Sequence, residues 1–227
     1  MEKTHIVSRF DKELKEIDSQ LQHMAQLVIQ QLADATEALS AKDLKLAKEV
    51  RAGDREINDL EDRIVELTTR LIALRQPMAE DLRSAITTFR VASDLERIGD
   101  YAKTISNRTA ILAEEKPMKS ASKTIKRMSI VVQAMLGEVM EAYVERDLGK
   151  AEHARVQDED VDQMNSALFR ELLTYMMENP RNIAASTHLL FIAKTFERAG
   201  DHVTNIAEHV YFLVTGEQYE NGEIDLD

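Results

Sequence analysis

An internal repeat is the feature of this sequence that most restricts its fold. The string ERIGD at residues 96–100 returns as ERAGD at residues 197–201, and Pro77 is matched by Pro180. Earlier in each half, residues 41–54 align with residues 145–158. The order of these features is kept while their offset drifts from 104 to 101 residues, which indicates a duplication with small deletions. The chain therefore contains two copies of one folding unit.

The repeated unit is predicted to be helical. Apolar residues recur at steps of three and four, as at Ile57, Leu60, Ile64, Leu67 and Leu71, and this spacing places them on one face of a helix. Only 7 glycines and 3 prolines occur in 227 residues, and the abundant residue types are those that long helices use. We therefore expect an all-α protein.

The helices are expected to form two bundles. Turn signals interrupt the apolar pattern at residues 40–43, 76–77, 114–117, 146–147 and 179–180, which leaves six long helices. Long helices joined by short turns pack antiparallel, so the prediction is a tandem duplication of a three-helix bundle. Residues 1–114 form the first unit and residues 118–215 the second. Residues 216–227 are predicted to be an acidic flexible tail.

Composition excludes several classes of function. The formal net charge of -12 disfavours nucleic acid and anionic lipid as partners. The chain has no cysteine, so thiolate metal sites and cysteine nucleophiles are excluded and a cytoplasmic location is expected. No uncharged stretch has the length of a membrane span, and the N-terminus lacks the apolar run of a signal peptide. We expect a soluble protein that meets a membrane only through protein partners.

A row of polar, mostly acidic side chains follows the last helix of each unit. The rows are Glu96, Asp100 and Asn107 in the first unit, and Glu197, Asp201, Asn205 and Glu208 in the second. Each row lies opposite apolar residues such as Leu95 and Ile98, because every helical residue advances by about 100°. Like charges four residues apart and a mid-helix glycine, Gly99 or Gly200, both destabilise a helix. Because these destabilising residues occur at matching positions in both units, we infer that the acidic rows need them for a specific purpose.

Folding each hairpin at its proline brings further acidic residues to the rows. Asp54 stands 23 residues before Pro77 and Asp100 stands 23 residues after it, so they meet at one level of an antiparallel pair. The second unit places Asp158 and Asp162 opposite Asp201 and Glu197. Converging oxygen ligands without thiolates suit hard or borderline cations. We therefore predict binding of divalent or trivalent metal ions, namely Mg, Mn, Fe or Zn.

The same rows have a purely structural alternative. Arg97 and Arg198 lie one position round the helix from the rows and are able to neutralise them by ion pairing. Such a salt-bridge network predicts that a chelator changes nothing.

Two segments carry a resemblance to a known family. Residues 93–109, SDLERIGDYAKTISNRT, and residues 195–211, TFERAGDHVTNIAEHVY, resemble the duplicated signature of the PhoU family, in which Glu or Asp is followed by three residues and then Asp. The similarity spans nearly the whole chain, including FDKEL at residues 10–14. The residues that match the motif are Glu96, Asp100, Glu197 and Asp201, and those that match acidic positions on the neighbouring helices are Asp54, Asp158 and Asp162. Asn58 departs from the pattern, so the first site is expected to bind metal more weakly or to hold fewer ions.

The resemblance implies a function that the periodicity and the charge do not reveal. It implies metal clusters on the acidic faces, a cytoplasmic homodimer, and negative regulation of the transcriptional phosphate-starvation (Pho) response with modulation of phosphate uptake. The implied partners are the cytoplasmic ATPase side of a phosphate ABC transporter and a sensor histidine kinase.

Two other functions compete with this interpretation. A di-iron carboxylate enzyme is also a helical bundle, but it needs Glu-x-x-His steps, and only Glu2 precedes a histidine, His5, at that spacing. A metal-free helical scaffold would share the fold and differ only in the acidic rows. Since no phosphate-binding loop or nucleophile elbow occurs, we expect no catalytic residues and no enzymatic activity.

Overall fold

The chain is helical throughout the part that the structure describes. A computed structural model describes residues 2–219, with side chains from residue 12 onward, and this described part is 90% helical and contains no strand. The helices are α1 (Glu2–Ala41), α2 (Leu44–Arg75), α3 (Glu80–Leu112), α4 (Lys119–Glu145), α5 (Leu148–Val156), α6 (Asp158–Glu178) and α7 (Ile183–Thr215), with a 3₁₀ turn at Pro180–Asn182. The all-α prediction is confirmed, and so are the predicted turns.

The six predicted long helices are present, with the fifth divided at Gln157 into α5 and α6. The backbone N–H of Gln157 is shared between the carbonyl oxygens of His153 and Arg155, and the N–H of Asp160 bonds to the carbonyl of Gln157, three residues back, so the four-residue spacing of α-helical hydrogen bonds is broken at this turn. The interruption places Asp158 in the first turn of α6.

The repeated aspartates before α2 and α5 are helix caps. Asp43 Oδ1 accepts hydrogen bonds from the backbone N–H groups of Lys45, at 2.9 Å, and Leu46, at 3.0 Å. Asp147 Oδ1 accepts from the N–H of Lys150 at 3.1 Å. A side-chain oxygen at this position satisfies N–H groups that have no partner within the helix. The matching of these residues between the units therefore reflects how each helix begins.

The helices form two layers that share one hydrophobic core. In the first layer α2, α3, α7 and α6 lie side by side in that order; in the second, α1 packs on α2 and α3, while α4 packs on α6 and α7 and also contacts α1. The buried apolar residues of both units belong to one continuous cluster. The two units thus meet along α3 against α7 and along α1 against α4.

The predicted core faces of α3 and α7 are confirmed. The buried residues are Val91, Leu95, Ile98, Ala102, Ile105 and Leu112 on α3, and Ile192, Phe196, Ala199, Val203, Ile206, Val210 and Leu213 on α7. The acidic rows lie on the opposite side, which we call the open face: the face of the α2–α3–α7–α6 layer that points away from α1 and α4.

The first residues after α7 pack against the fold. The ring of Tyr219 contacts that of Tyr211 edge to face, with 5.7 Å between the centroids, and the Arg155 guanidinium lies 5.3 Å from the Tyr219 centroid. Residues 220–227 lie outside the described part, so flexibility of the acidic tail stays a prediction. Within residues 2–219 no helix has both the length and the apolar character that a membrane span requires.

A buried hydrogen-bond network connects α1, α3 and α4. The hydroxyl of Tyr143 donates to Asp18 Oδ1 at 3.0 Å and lies 2.7 Å from Thr88 Oγ1. Tyr143 is only 1% exposed, and burial raises the pKa of both Tyr143 and Asp18. The half-buried carboxyl group of Asp18 depends on this hydrogen-bond donor.

Tyr143→Phe is therefore expected to lower the free energy of unfolding by about 1–3 kcal/mol, because Asp18 loses its donor. Urea denaturation followed by circular dichroism measures the change. Tyr175→Phe is the control, since its hydroxyl forms no hydrogen bond with a described residue, and its effect should stay within about 0.5 kcal/mol. Equal effects of the two substitutions would show that the network does not stabilise the fold.

Candidate functional site

The acidic residues of the two units lie next to each other on the open face. Tyr101 follows Asp100 and His202 follows Asp201, and the Tyr101 hydroxyl lies 3.3 Å from His202 Nε2 across the contact between α3 and α7. We define two clusters. The first acidic cluster is Asp54, Glu96 and Asp100, and the second acidic cluster is Asp158, Asp162, Glu197 and Asp201.

A lysine joins the two helices of the first acidic cluster. Lys103 Nζ lies 2.6 Å from Asp54 Oδ2 and 3.5 Å from Asp100 Oδ1, so its ammonium group bridges α2 and α3. The hydrogen bond with Asp54 raises the pKa of Lys103. The predicted meeting of Asp54 and Asp100 is thus observed, but around a lysine that the sequence analysis missed. Its position three residues after Asp100 was the available signal.

The other residues of the first row have weaker contacts. Arg97 Nε lies 3.9 Å from Glu96 Oε2, and Arg51 Nη1 donates to Asn107 Oδ1 at 3.5 Å. Burial, followed by the charge of Asp100, raises the pKa of Glu96, while Arg97 and Lys103 act in the opposite direction. The first row is therefore partly neutralised by its own cations.

The second acidic cluster contains buried oxygen atoms that lack a partner. Asp158 Oδ1 and Glu197 Oε2 are buried and form no hydrogen bond with any residue in the described part of the chain. Lys194 Nζ pairs with the other oxygen, Glu197 Oε1. A methyl group on Gly200 would lie 2.1 Å from Asp158 Oδ1, so only glycine lets this carboxylate approach α7 so closely.

Crowding of carboxylates dominates the electrostatics of the second acidic cluster. Burial raises the pKa of Asp158 to about 7, with further contributions from the charges of Asp162, Asp201 and Glu197. Burial also raises the pKa of Asp162 and of Asp201, and Glu197 adds to both effects. These four side chains are thus close enough to repel one another.

The remaining predicted ligands lie at the edge of the second acidic cluster. Asn205 is half-buried on α7, and Glu208 lies near Arg155, whose pKa it helps to raise. Among the described residues, no group of three or more His, Asp or Glu side chains converges tightly enough to form a complete metal site as they stand. Metal binding therefore stays a prediction.

His202 points away from the second acidic cluster. Its Nδ1 lies 2.7 Å from Asp94 Oδ1, and His209 Nε2 lies 3.1 Å from Asp94 Oδ2. Burial acts to raise the pKa of Asp94, but the hydrogen bonds with the two histidines outweigh it and hold the pKa below its ordinary value. This cluster connects α3 of the first unit to α7 of the second, and the sequence analysis identified neither Asp94 nor His209.

Comparison with known proteins identifies the fold and the repeat. The model of the PhoU domain matches this chain twice, at residues 21–109 and at residues 125–210. The chain belongs to the PhoU family. The two matches fall one in each unit, and the predicted resemblance is confirmed.

Individual PhoU proteins are similar over nearly their full length. The chain is 44% identical to a phosphate-specific transport system accessory protein PhoU homolog of Caulobacter vibrioides over 98% of this chain and 97% of the relative. It is 43% identical to the Rhizobium meliloti homolog over 96% of this chain and 92% of the relative.

Solved PhoU structures share the fold. The crystal structure of PhoU from Pseudomonas aeruginosa superposes with a TM-score of 0.88 at 38% identity, covering 92% of this chain and 100% of that one. The crystal structure of the phosphate transport system regulatory protein PhoU from Streptococcus pneumoniae superposes with a TM-score of 0.85 at 30% identity. The superposition covers 93% of this chain and 99% of that one. PhoU proteins are regulatory accessory proteins and not enzymes, which confirms the prediction on enzymatic activity and removes the di-iron enzyme alternative.

The raised pKa of Asp158 predicts a pH dependence of stability. The ordinary pKa of 3.8 applies to the unfolded chain and about 7 to the folded one, so the folded chain binds more protons between these values. The free energy of unfolding of the metal-free protein should therefore fall as the pH rises from about 4 to about 7. Asp158→Asn should remove this part of the slope and stabilise the protein at pH 8 by the order of 1 kcal/mol, allowing for solvent screening.

Urea denaturation in excess chelator at a series of pH values measures the effect. Asp160→Asn is the matched control, because Asp160 also lies in the first turn of α6 but is exposed. If both variants change the stability equally at pH 8, the helix terminus and not the second acidic cluster is responsible.

Proposed function

We propose that this chain is a negative regulator of the phosphate-starvation response and a modulator of phosphate uptake. It acts in the cytoplasm as a metal-binding adaptor between a phosphate ABC transporter, on its ATPase side, and a sensor histidine kinase. Membership of the PhoU family and relatives described as accessory proteins of phosphate-specific transport support the role. The observation that carries the proposal is the pair of acidic clusters next to each other on the open face of this fold.

The oxygen ligands of the second acidic cluster are of the type that a hard cation prefers, and the side chains would have to converge further to hold one. The cluster offers oxygen ligands from both α6 and α7, and two of these oxygens, Asp158 Oδ1 and Glu197 Oε2, are buried and receive no hydrogen bond from any described residue. A buried, unpaired carboxylate oxygen is costly, and a cation removes that cost. The carboxylates that would hold Mg, Mn, Fe or Zn are Asp158, Asp162, Glu197 and Asp201 in the second cluster, and Asp54, Glu96 and Asp100 in the first.

Binding a cation would change both the rigidity and the charge of the open face. When bound, the ion supplies positive charge that holds the carboxylates of α6 and α7 together. The carboxylates themselves align the two helices and set the charge that a partner meets. Since complementary charge selects partners and sets their rate of association, the loaded and unloaded faces would favour different protein partners.

The remaining parts of the proposal follow the family. The chain acts as a homodimer, reaches the membrane only through its protein partners and does not bind nucleic acid, in keeping with its net charge of -12. A metal-free scaffold is the second candidate function. The bridge from Lys103 to Asp54 and Asp100 favours it, because this bridge satisfies part of one cluster without any metal.

The metal proposal predicts a loss of bound metal in a variant of the second cluster. Asp158→Asn combined with Asp201→Asn should lower the metal bound per chain by about half or more, because the second cluster loses two of its four charged ligands. Elemental analysis of the dialysed protein measures it, with Asp160→Asn as the control that keeps its metal. Unchanged metal content in the double variant would show that these residues do not hold the metal, and a wild type without bound metal would favour the metal-free scaffold.

The regulatory role predicts a defect in cells. A strain without this chain should produce alkaline phosphatase constitutively in high phosphate, and the wild-type gene should restore repression. The double variant Asp158→Asn/Asp201→Asn, expressed at the same level, should fail to restore it. Normal repression in the deletion strain would contradict the role, and full rescue by the double variant would separate the role from metal.

A further inference from the structure

The two acidic clusters come from one repeated unit but differ in where their lysine lies. Lys103 stands three residues after Asp100, and its counterpart Thr204 stands three residues after Asp201. Thr204 is uncharged. Its hydroxyl donates to the backbone carbonyl of Asp201 at 2.7 Å, so the side chain turns back onto its own helix. At this position the first unit has an ammonium group and the second has none.

Lys103 lies where a bridging metal ion would have to lie. Its Nζ contacts Asp54 Oδ2 at 2.6 Å on α2 and Asp100 Oδ1 at 3.5 Å on α3. Asp54 and Asp100 are the two carboxylates that lie at the same height along the antiparallel helices when the hairpin folds at Pro77. Asp54 is only 6% exposed, so its charge depends on a nearby cation. The ammonium group already fills that role.

The lysine beside the second cluster does not play the same part. Lys194 pairs with Glu197, three residues away on the same helix, and leaves Glu197 Oε2 without a partner. Asp158 Oδ1, on the facing helix, is also unpaired among the described residues. Two buried oxygens on facing helices of the second cluster thus have no hydrogen-bond partner among the described residues.

We propose that Lys103 is a built-in cation that keeps the first acidic cluster closed to metal, so that the chain binds metal ions in its second unit alone. The inference rests on the proposed metal binding of the acidic clusters. A metal ion that enters the first cluster must displace Lys103 from Asp54. The free energy of the Lys103–Asp54 ion pair is then lost, which makes the binding free energy of the metal ion less favourable. The duplicated clusters therefore have different tasks: one binds metal and the other is a fixed ion pair.

Exchanging the two counterpart residues tests the proposal. The probe is Mn²⁺, titrated into chelator-stripped, full-length protein and followed by calorimetry and by the electron paramagnetic resonance of free Mn²⁺. The wild type should bind in the second cluster only, so Asp158→Asn/Asp201→Asn should bind none. Adding Lys103→Thr to that double variant should produce binding of Mn²⁺ in the first cluster, at least about tenfold above the detection limit. Thr204→Lys in the wild type should weaken binding about tenfold or more.

Two further variants control for charge and for folding. Lys48→Thr removes the same charge from an exposed site on α2 and should leave Mn²⁺ binding unchanged. Lys103→Met keeps the aliphatic stem of the side chain but not its charge, so it should give the same gain as Lys103→Thr if that variant folds poorly.

The outcomes separate this inference from the proposed function. Equal binding of Mn²⁺ in both clusters of the wild type overturns the inference and leaves metal binding intact. If neither Lys103 variant increases Mn²⁺ binding in the first cluster but Asn58→Asp does, Asn58 and not Lys103 causes the difference between the clusters. That result also overturns the inference. If no variant binds Mn²⁺ in either cluster, the metal proposal itself is wrong and this inference is wrong with it.

Discussion

The antiparallel packing of α3 against α7 is the contact on which the rest of the structure depends. It joins the two units through a shared core, and it places Asp94 between His202 and His209. Because both helices bury their apolar faces toward α1 and α4, their acidic rows have to emerge on the same side. The proximity of the two acidic clusters is therefore a result of how the duplicated units pack, and neither unit alone would produce it.

Helical geometry explains how much the sequence predicted. Two antiparallel helices rise equally per residue, so counting from Pro77 was enough to place Asp54 level with Asp100. The periodicity of Leu95 and Ile98 likewise fixed the core face of α3. The contacts of Lys103 were not predicted, because a long side chain chooses among several acceptors and only the packed helices decide between them. The proposed signalling role rests on the resemblance and not on the geometry.

The repeat also shows how one position serves different needs in two copies. A methyl group on Gly99 would lie 3.0 Å from Ile57 Cδ1, so this glycine allows two helices to pack closely. Its counterpart Gly200 faces the carboxylate of Asp158 instead. The glycine is common to both units, yet in one it serves the apolar core and in the other the candidate site. A mid-helix glycine alone therefore does not identify a binding site.

The open face has one direction of access, because α1 and α4 cover the other side of the layer. A rigid protein that docks flat on this face has a footprint that overlaps both clusters at once. It would meet the fixed lysine bridge of the first and the variable charge of the second within one encounter. If the second cluster binds an ion as proposed, the lysine bridge would keep the orientation of such a protein constant, and gain or loss of the ion would change how well it fits.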